Sequence, residues 1–304
     1  MKIAVTGATG FIGRGLCLEL SSEHEMVVLS RSREKAVSVF GDLFEVVEWN
    51  TRSADGWGEC LEGVDAVVNL AGASLAAKRW TEEYKREILE SRTKCSRVLI
   101  DAIKKLEKKP RVVVMSSAIG FYGDREDEEL DEESRGGEGF LAGVCRKRES
   151  YATEFEEMGI RTVVIRTSIV LGLSGGAFPK MLMPFNFYAG CYWGKGKQWV
   201  SWICIADEIA AIKFLIENEN LNGVFNLAAP GAQKNRDFFK MVGKAFRKPC
   251  WSGVPRFVLK VLFGDITSEL FLASQRVYPK RLTDAGFEFQ YPELEGTLRT
   301  IRAE

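Results

Sequence analysis

The chain has 304 residues with 42 basic and 42 acidic side chains, so neither a nucleic-acid-coating surface nor an anionic membrane is an implied partner. Its seven cysteines (Cys17, Cys60, Cys95, Cys145, Cys191, Cys204 and Cys250) form no Cys-x-x-Cys pair, which fits reduced thiols in a cytosolic protein better than a disulfide frame or a zinc site. The single histidine, His24, sits in the polar turn Ser21 to Glu25, which excludes a histidine-based metal centre and argues against a Ser-His-Asp triad. No run of about 18 apolar residues is present. The first core strand starts at residue 2, so no signal peptide is expected and the expected compartment is the cytoplasm.

Lys2 to Thr6 reads as a short strand and runs into Gly7-Ala8-Thr9-Gly10-Phe11-Ile12-Gly13; Phe11, Ile12, Leu16 and Leu20 then recur at helical spacing. The glycines therefore occupy a strand-to-helix turn, the context a dinucleotide-binding loop needs. Gly7 permits the tight turn, Gly10 lets backbone approach a pyrophosphate, and Gly13 lets the helix pack close to the strand. Met26 to Ser30, Phe44 to Glu48 and Asp65 to Leu70 read as further strands. Thr81 to Lys105 is a long helical stretch, Arg111 to Ser116 a strand apolar on both faces, Gly139 to Met158 another helix, and Arg161 to Arg166 a sixth strand. Strands alternating with helices predict an α/β fold, a doubly wound parallel Rossmann sheet.

The acidic run Asp124 to Glu133 reads as a solvated loop rather than a metal site, because hard-metal loops space their carboxylates around a glycine turn. Beyond Gly172 the pattern breaks into glycine- and aromatic-rich pieces containing Trp193, Trp199 and Trp202, with Lys195 and Lys197 between, which read as substrate-side loops. Two or more of these tryptophans as plain core is the competing reading. Gly175 and Gly176 are candidate hinges for the loop. Ala206 to Glu217 and Val224 to Ala228 return a helix and a strand to the main sheet, and short helices follow from Asn235. The expected organisation is a cofactor domain over 1–171, joined by 199–230, with a smaller C-terminal substrate lobe from 172–198 and 231–304.

The end of the second strand, Ser30-Arg31-Ser32-Arg33, carries arginines where NAD-selective versions of this fold place an acid. A guanidinium grips a phosphate bidentately and a serine adds a hydroxyl donor, so NADP is favoured over NAD, with Arg31 ahead of Arg33. The competing reading is a pair of ordinary surface charges.

Together with the glycine loop, Asn69 to Gly72, Ser116 to Gly123 and Arg166 to Gly172 make the chain resemble the extended short-chain dehydrogenase/reductases. Glu90-Ser91-Arg92, Trp199 to Asp207, Tyr278 to Leu282, Gly286-Phe287 and Tyr291 to Gly296 narrow the resemblance to an atypical epimerase-like or SulA-like branch. That resemblance implies a cofactor site drawn from Gly7, Thr9, Gly10, Phe11, Ile12, Gly13, Ser30, Arg31, Leu70, Ala71, Gly72, Glu87, Arg92 and Val170. It also implies pairing through the long fourth and fifth helices, a candidate homodimer.

Catalysis in the superfamily resembles a relay in which a lysine four residues after a tyrosine lowers the phenol's pKa. None of the seven tyrosines here has a lysine at that position; taking Glu149 as the downstream helix glutamate puts Leu141 and Cys145 in the two places. The usual Ser/Thr position falls on Ala118, with Ser117 one residue earlier. Ser117 is then the candidate to orient a substrate oxygen, or a strand-end cap, and Tyr122 or a water the candidate proton donor. Cys145 is either a reactive thiol crowded by Arg146, Lys147 and Arg148 or a structural one. Two functions remain open: an NADP-dependent oxidoreductase or epimerase acting on a small-molecule substrate, and a non-catalytic NADP(H)-responsive binding protein.

Overall fold

A computed structural model describes residues 1–303, and residue 304, inside the expected C-terminal lobe, lies outside the described residues. The chain begins β1 (Lys2–Thr6), α1 (Phe11–Leu20), β2 (Glu25–Ser30), α2 (Arg33–Phe40) and β3 (Glu45–Glu48). It continues through β4 (Ala66–Asn69), α3 (Glu82–Lys104) and β5 (Val112–Ala118) to the short strand β6 (Glu129–Leu130). Then come α4 (Phe140–Glu149), α5 (Ala152–Glu156), β7 (Arg161–Thr167), β8 (Ile169–Leu171) and α6 (Phe178–Asn186). The C-terminal part holds β9 (Gly190–Trp193), β10 (Trp199–Val200), β11 (Trp202–Cys204), α7 (Ile205–Glu217), β12 (Gly223–Leu227) and β13 (Gln233–Lys234). It ends with α8 (Asn235–Ala245), β14 (Cys250–Val254), α9 (Arg256–Phe263), β15 (Arg276–Val277), α10 (Lys280–Asp284) and α11 (Leu294–Ala303).

Seven of these strands form one parallel sheet in the order β12-β7-β5-β4-β1-β2-β3. The expected doubly wound fold is present. Alternate residues of each strand face opposite layers, as a period of two requires. Ile3, Val5 and Val28 pack with Leu16 and Leu20 of α1 and Leu215 of α7, whereas Ala4, Val27 and Leu29 pack with Leu99 and Ile103 of α3. Both faces of the sheet are covered, which is why its strands read as apolar runs. A separate core of Phe178, Phe185, Trp202, Phe238, Phe239 and Leu298 holds the C-terminal elements together.

Three expectations change. The helix expected over 139–158 splits into α4 and α5, because the Ser150 hydroxyl donates back to the Lys147 carbonyl and the Tyr151 N–H turns to the Arg148 carbonyl at 3.2 Å, tightening the turn. The acidic run is a clamp more than a solvated loop: Glu129–Leu130 pair with β15, Glu129 meets Arg276 at 3.0 Å, Asp127 meets Lys234 and the Trp199 indole, and Glu132 accepts the Asn226 amide at 2.9 Å. Helix α2, started by the Ser32 cap, was hidden by its weak apolar pattern.

Candidate functional site

Strand order reverses between β1 and β4, and ligands of open α/β sheets bind outside the carboxyl ends of the strands at such a point. A cleft of about 600 Å³ opens there, walled by Gly7, Gly10 to Gly13, Leu70, Gly72, Ser116 to Gly120 and Thr167 to Val170. Leu141, Val144, Cys145 and Arg148 close one side, and Trp193, Trp199, Phe271 and Gln275 stand on the C-terminal side.

The glycine turn fits a dinucleotide for reasons of space. Gly7 has φ of +71°, and a Cβ on it would lie 2.8 Å from the Leu70 carbonyl carbon; a Cβ on Gly13 would lie 2.4 Å from the Gly7 oxygen. A Cβ on Gly10 would come within 3.1 Å of the same oxygen. The amino end of α1 thus packs directly on β1, has no side-chain cap and carries no acid in its first turn, leaving its amides and dipole to an anion. The facing β4 loop is held by buried polar contacts. Thr6 donates to Asn69 at 2.9 Å, and the Arg148 guanidinium donates to the Asn69 carbonyl at 2.9 Å and that of Ala71 at 3.0 Å.

Arg148, which the sequence placed only beside Cys145, is 3% exposed and lines the cleft with its Nε unpartnered. Burial first, and then the Arg92 charge, lower its pKa to about 9. Arg92 lies against Gly72, where a Cβ would be 3.1 Å from its guanidinium carbon, and donates to the Ile88 carbonyl at 3.1 Å. Arg31 is exposed and makes no hydrogen bond or ion pair among the described residues. Arg92 and Arg148 line the cleft, whereas Arg31, at the end of β2, does not; burial raises the Cys95 pKa, and the charges of Arg148, Arg31 and Arg92 oppose that rise. Arg33 is tied instead to the Val46 carbonyl at 2.5 Å.

Several expected residues stand elsewhere. Ser30 donates to the Ser32 carbonyl at 2.9 Å and the Ser32 hydroxyl caps α2, so both serines are spent on a turn. Glu87 is on the exposed face of α3, paired with Lys78 at 3.3 Å, away from the cleft wall. Thr9 and Ala71 are partly exposed beside the cleft but do not line it. Gly175 and Gly176 wrap the Phe11 ring, where added Cβ atoms would come within 3.0 and 2.8 Å of its carbons; close packing rather than hinging accounts for them. Trp202 is core, its indole donating to Gly231 at 3.0 Å, while Trp193 and Trp199 reach the cleft; Lys195 and Lys197 are exposed outside it.

Tyr122 must be withdrawn as a proton donor. It is fully buried off the cleft wall, its hydroxyl lies 2.8 Å from the Asp131 carbonyl and 2.7 Å from Asn226 Oδ1, and it accepts from Arg166 at 3.0 Å. Burial raises its pKa. Ser117 does line the cleft, but its hydroxyl donates to Glu149 at 2.6 Å, leaving lone pairs rather than a proton for a ligand. Arg166 holds both Glu149 oxygens, at 3.0 and 2.8 Å. Helical spacing puts Leu141 and Cys145 on one α4 face, both on the cleft wall, where a tyrosine and a lysine would complete the relay. Arg146 and Lys147 are exposed and Arg148 turns to β4, so burial wins and raises the Cys145 pKa.

Glu208, at the start of α7, was also missed. It is fully buried, accepts the Thr167 hydroxyl at 2.8 Å and has Oε2 without a partner; burial pushes its pKa from 4.5 up to about 8. The native chain then keeps a proton that the unfolded chain loses above about 4.5, so this contribution to stability is fullest below that pH and is lost as pH rises to about 8. Thermal melts of Glu208→Gln against wild type are expected to diverge in the variant's favour across that window, by up to about 1.4 kcal/mol per pH unit. A difference flat with pH would refute the neutral carboxyl.

Comparison with known proteins agrees with this architecture. The model of the NAD dependent epimerase/dehydratase family matches residues 3–228, and that of a domain of unknown function, DUF1731, matches residues 254–301. The chain is 37% identical over 99% of its length to the chloroplastic epimerase family protein SDR39U1 homolog of Arabidopsis thaliana, covering 86% of that protein. It is 35% identical over its full length to epimerase family protein YfhF of Bacillus subtilis, covering 99% of it. The crystal structure of human epimerase family protein SDR39U1 with NADPH superposes with a TM-score of 0.89 at 31% identity, covering all of both chains. With the strand order, the glycine cradle and a family match over most of its length, the chain belongs to the NAD dependent epimerase/dehydratase family.

Proposed function

We propose that the chain binds NADP(H) in this cleft and acts as an oxidoreductase on a small carbonyl or hydroxyl compound, without the superfamily's tyrosine–lysine pair. The observation that carries the cofactor reading is the uncapped, acid-free amino end of α1 in a cleft also lined by Arg92 and Arg148, with Arg31 at the end of β2; none of the three arginines has a carboxylate partner among the described residues. The α1 amides suit a pyrophosphate, and Arg31 at the end of β2 suits a 2′-phosphate. The NADPH held by the human relative supports the same reading. A bound nicotinamide supplies or takes up a hydride. The chain's part is to orient the substrate under Trp193, Trp199 and Phe271 and to keep water from its apolar side.

Arg31→Ala is expected to weaken NADPH binding by about 10- to 100-fold, the loss of a charge-assisted contact, while leaving NADH affinity unchanged. Fluorescence titration with both cofactors measures this. Equal effects on the two, or none, would sink the assignment. A second reading, a non-catalytic NADP(H)-responsive protein, is favoured by the apolar Leu141 and Cys145 on the wall where a relay belongs. The readings separate on whether bound NADPH is oxidised by a broad panel of carbonyl compounds or only raises the melting temperature by mass action.

A further inference from the structure

Three carboxyl groups stand in or behind the cleft wall, and their surroundings set them apart. Glu149 is surrounded by donors, with Arg166 on both oxygens and Ser117 at 2.6 Å. Glu269 is as well: it accepts the Phe140 and Leu141 amides at 3.0 and 2.7 Å, at the amino end of α4 where the dipole favours a carboxylate. Glu208 has neither cation nor amide. Its one bond is to the Thr167 hydroxyl at 2.8 Å, its Oε2 is unpartnered, and no charged side chain among the described residues acts on it. Thr167 ends β7, in register with Ala118 next to Ser117, and lines the cleft.

A protonated carboxyl, unlike the Glu149 carboxylate facing Ser117, can itself donate across the 2.8 Å contact, and Thr167 then accepts from Glu208 and turns its own proton to whatever oxygen occupies the cleft. We propose that Thr167 and Glu208 are a proton-exchange pair serving a carbonyl or alcohol oxygen in the cleft, in place of the absent tyrosine and lysine. As a carbonyl carbon takes a hydride from a reduced nicotinamide, the C=O π pair moves to oxygen, which takes the Thr167 proton. Thr167 takes that of Glu208, and a carboxylate remains. Water entering the cleft after product leaves returns the proton along the same path, and alcohol oxidation runs every step in reverse. Thr167 is the catalytic residue here and Glu208 acts through it. The proposal rests on the oxidoreductase reading above.

Infrared difference spectroscopy of the full chain between pH values, without cofactor, reads the proton directly. A protonated-carboxyl band is expected at pH 7, vanishing as pH rises through about 8 and absent from Glu208→Gln. No band at pH 7, or one that survives in Glu208→Gln, overturns the pair. In NADPH-dependent carbonyl reduction, Thr167→Val is expected to lower kcat about 100-fold, with Thr167→Ser within about threefold of wild type. Undiminished kcat in Thr167→Val overturns the pair while leaving the oxidoreductase reading intact. Wild type that binds no NADPH overturns the cofactor reading and the proton exchange with it, whereas loss of the infrared band or undiminished kcat in Thr167→Val overturns the pair alone. Wild type that binds NADPH but reduces no carbonyl in a broad panel overturns the proton exchange along with the oxidoreductase reading.

Discussion

Arg166→Met is expected to destabilise the chain by about 3–5 kcal/mol, the cost of leaving one member of a buried ion pair without its partner. The Arg166 side chain is 5% exposed and that of Glu149 12%, so little water is available to replace the lost bonds. Glu149 would keep only Ser117 as a donor, Tyr122 would lose one hydrogen bond, and the guanidinium stacked 3.4 Å from the centre of the Phe121 ring would be gone. For a chain of this size the melting temperature should fall by roughly 5–10 °C. Replacing both partners, as Arg166→Met with Glu149→Leu, should recover more than half of the loss, because the uncompensated charge is then removed too. Urea unfolding of the two single variants and the double variant measures the coupling. A single-variant loss under about 1 kcal/mol would show that the pair is solvated in solution.

Gly13→Ala is expected to reduce NADPH affinity at least 100-fold, because a Cβ 2.4 Å from the Gly7 oxygen and 2.7 Å from the Ala8 Cα must push α1 away from β1. Backbone stands on the crowded side, so no side-chain rotation relieves the clash. The α1 amides would then miss their anion by enough to forfeit charge-assisted hydrogen bonds of about 1.5–3 kcal/mol each. Gly143→Ala is the matched control: it lies inside α4, nothing outside its own helix backbone lies within 4 Å of its added Cβ, and it should gain about 0.5–1 kcal/mol of stability with binding unchanged. Calorimetric titration with NADPH compares the two. Near-normal affinity in Gly13→Ala would mean that the helix end does not hold the phosphates.

The fold was legible because its information is local. Runs such as the Val112–Met115 segment of β5 and the spacing of Leu16 and Leu20 declare strand and helix without reference to distant residues. The cleft's position followed from the glycines on the first turn and from strand order. Short ladders such as β6 with β15 were not legible, since two-residue pairings between segments more than a hundred residues apart leave no periodicity. Tyr122 misled for a related reason. Its place at the end of β5 suggested the cleft, but the 3₁₀ turn Ile119–Tyr122 leaves the ring off the cleft wall, with its hydroxyl on Asn226.

The sequence by itself determined the doubly wound sheet, the glycine cradle and the lack of any Tyr-x-x-x-Lys pair, because each is a matter of spacing along the chain. Tertiary structure alone decided which polar groups meet in the cleft. Arg148 turns from α4 to carbonyls more than 70 residues away, and Glu208 meets Thr167 across 41 residues, where burial rather than residue type sets its proton affinity. Charge partnership and desolvation depend on distances through space, and those exist only once the helices have packed on the sheet.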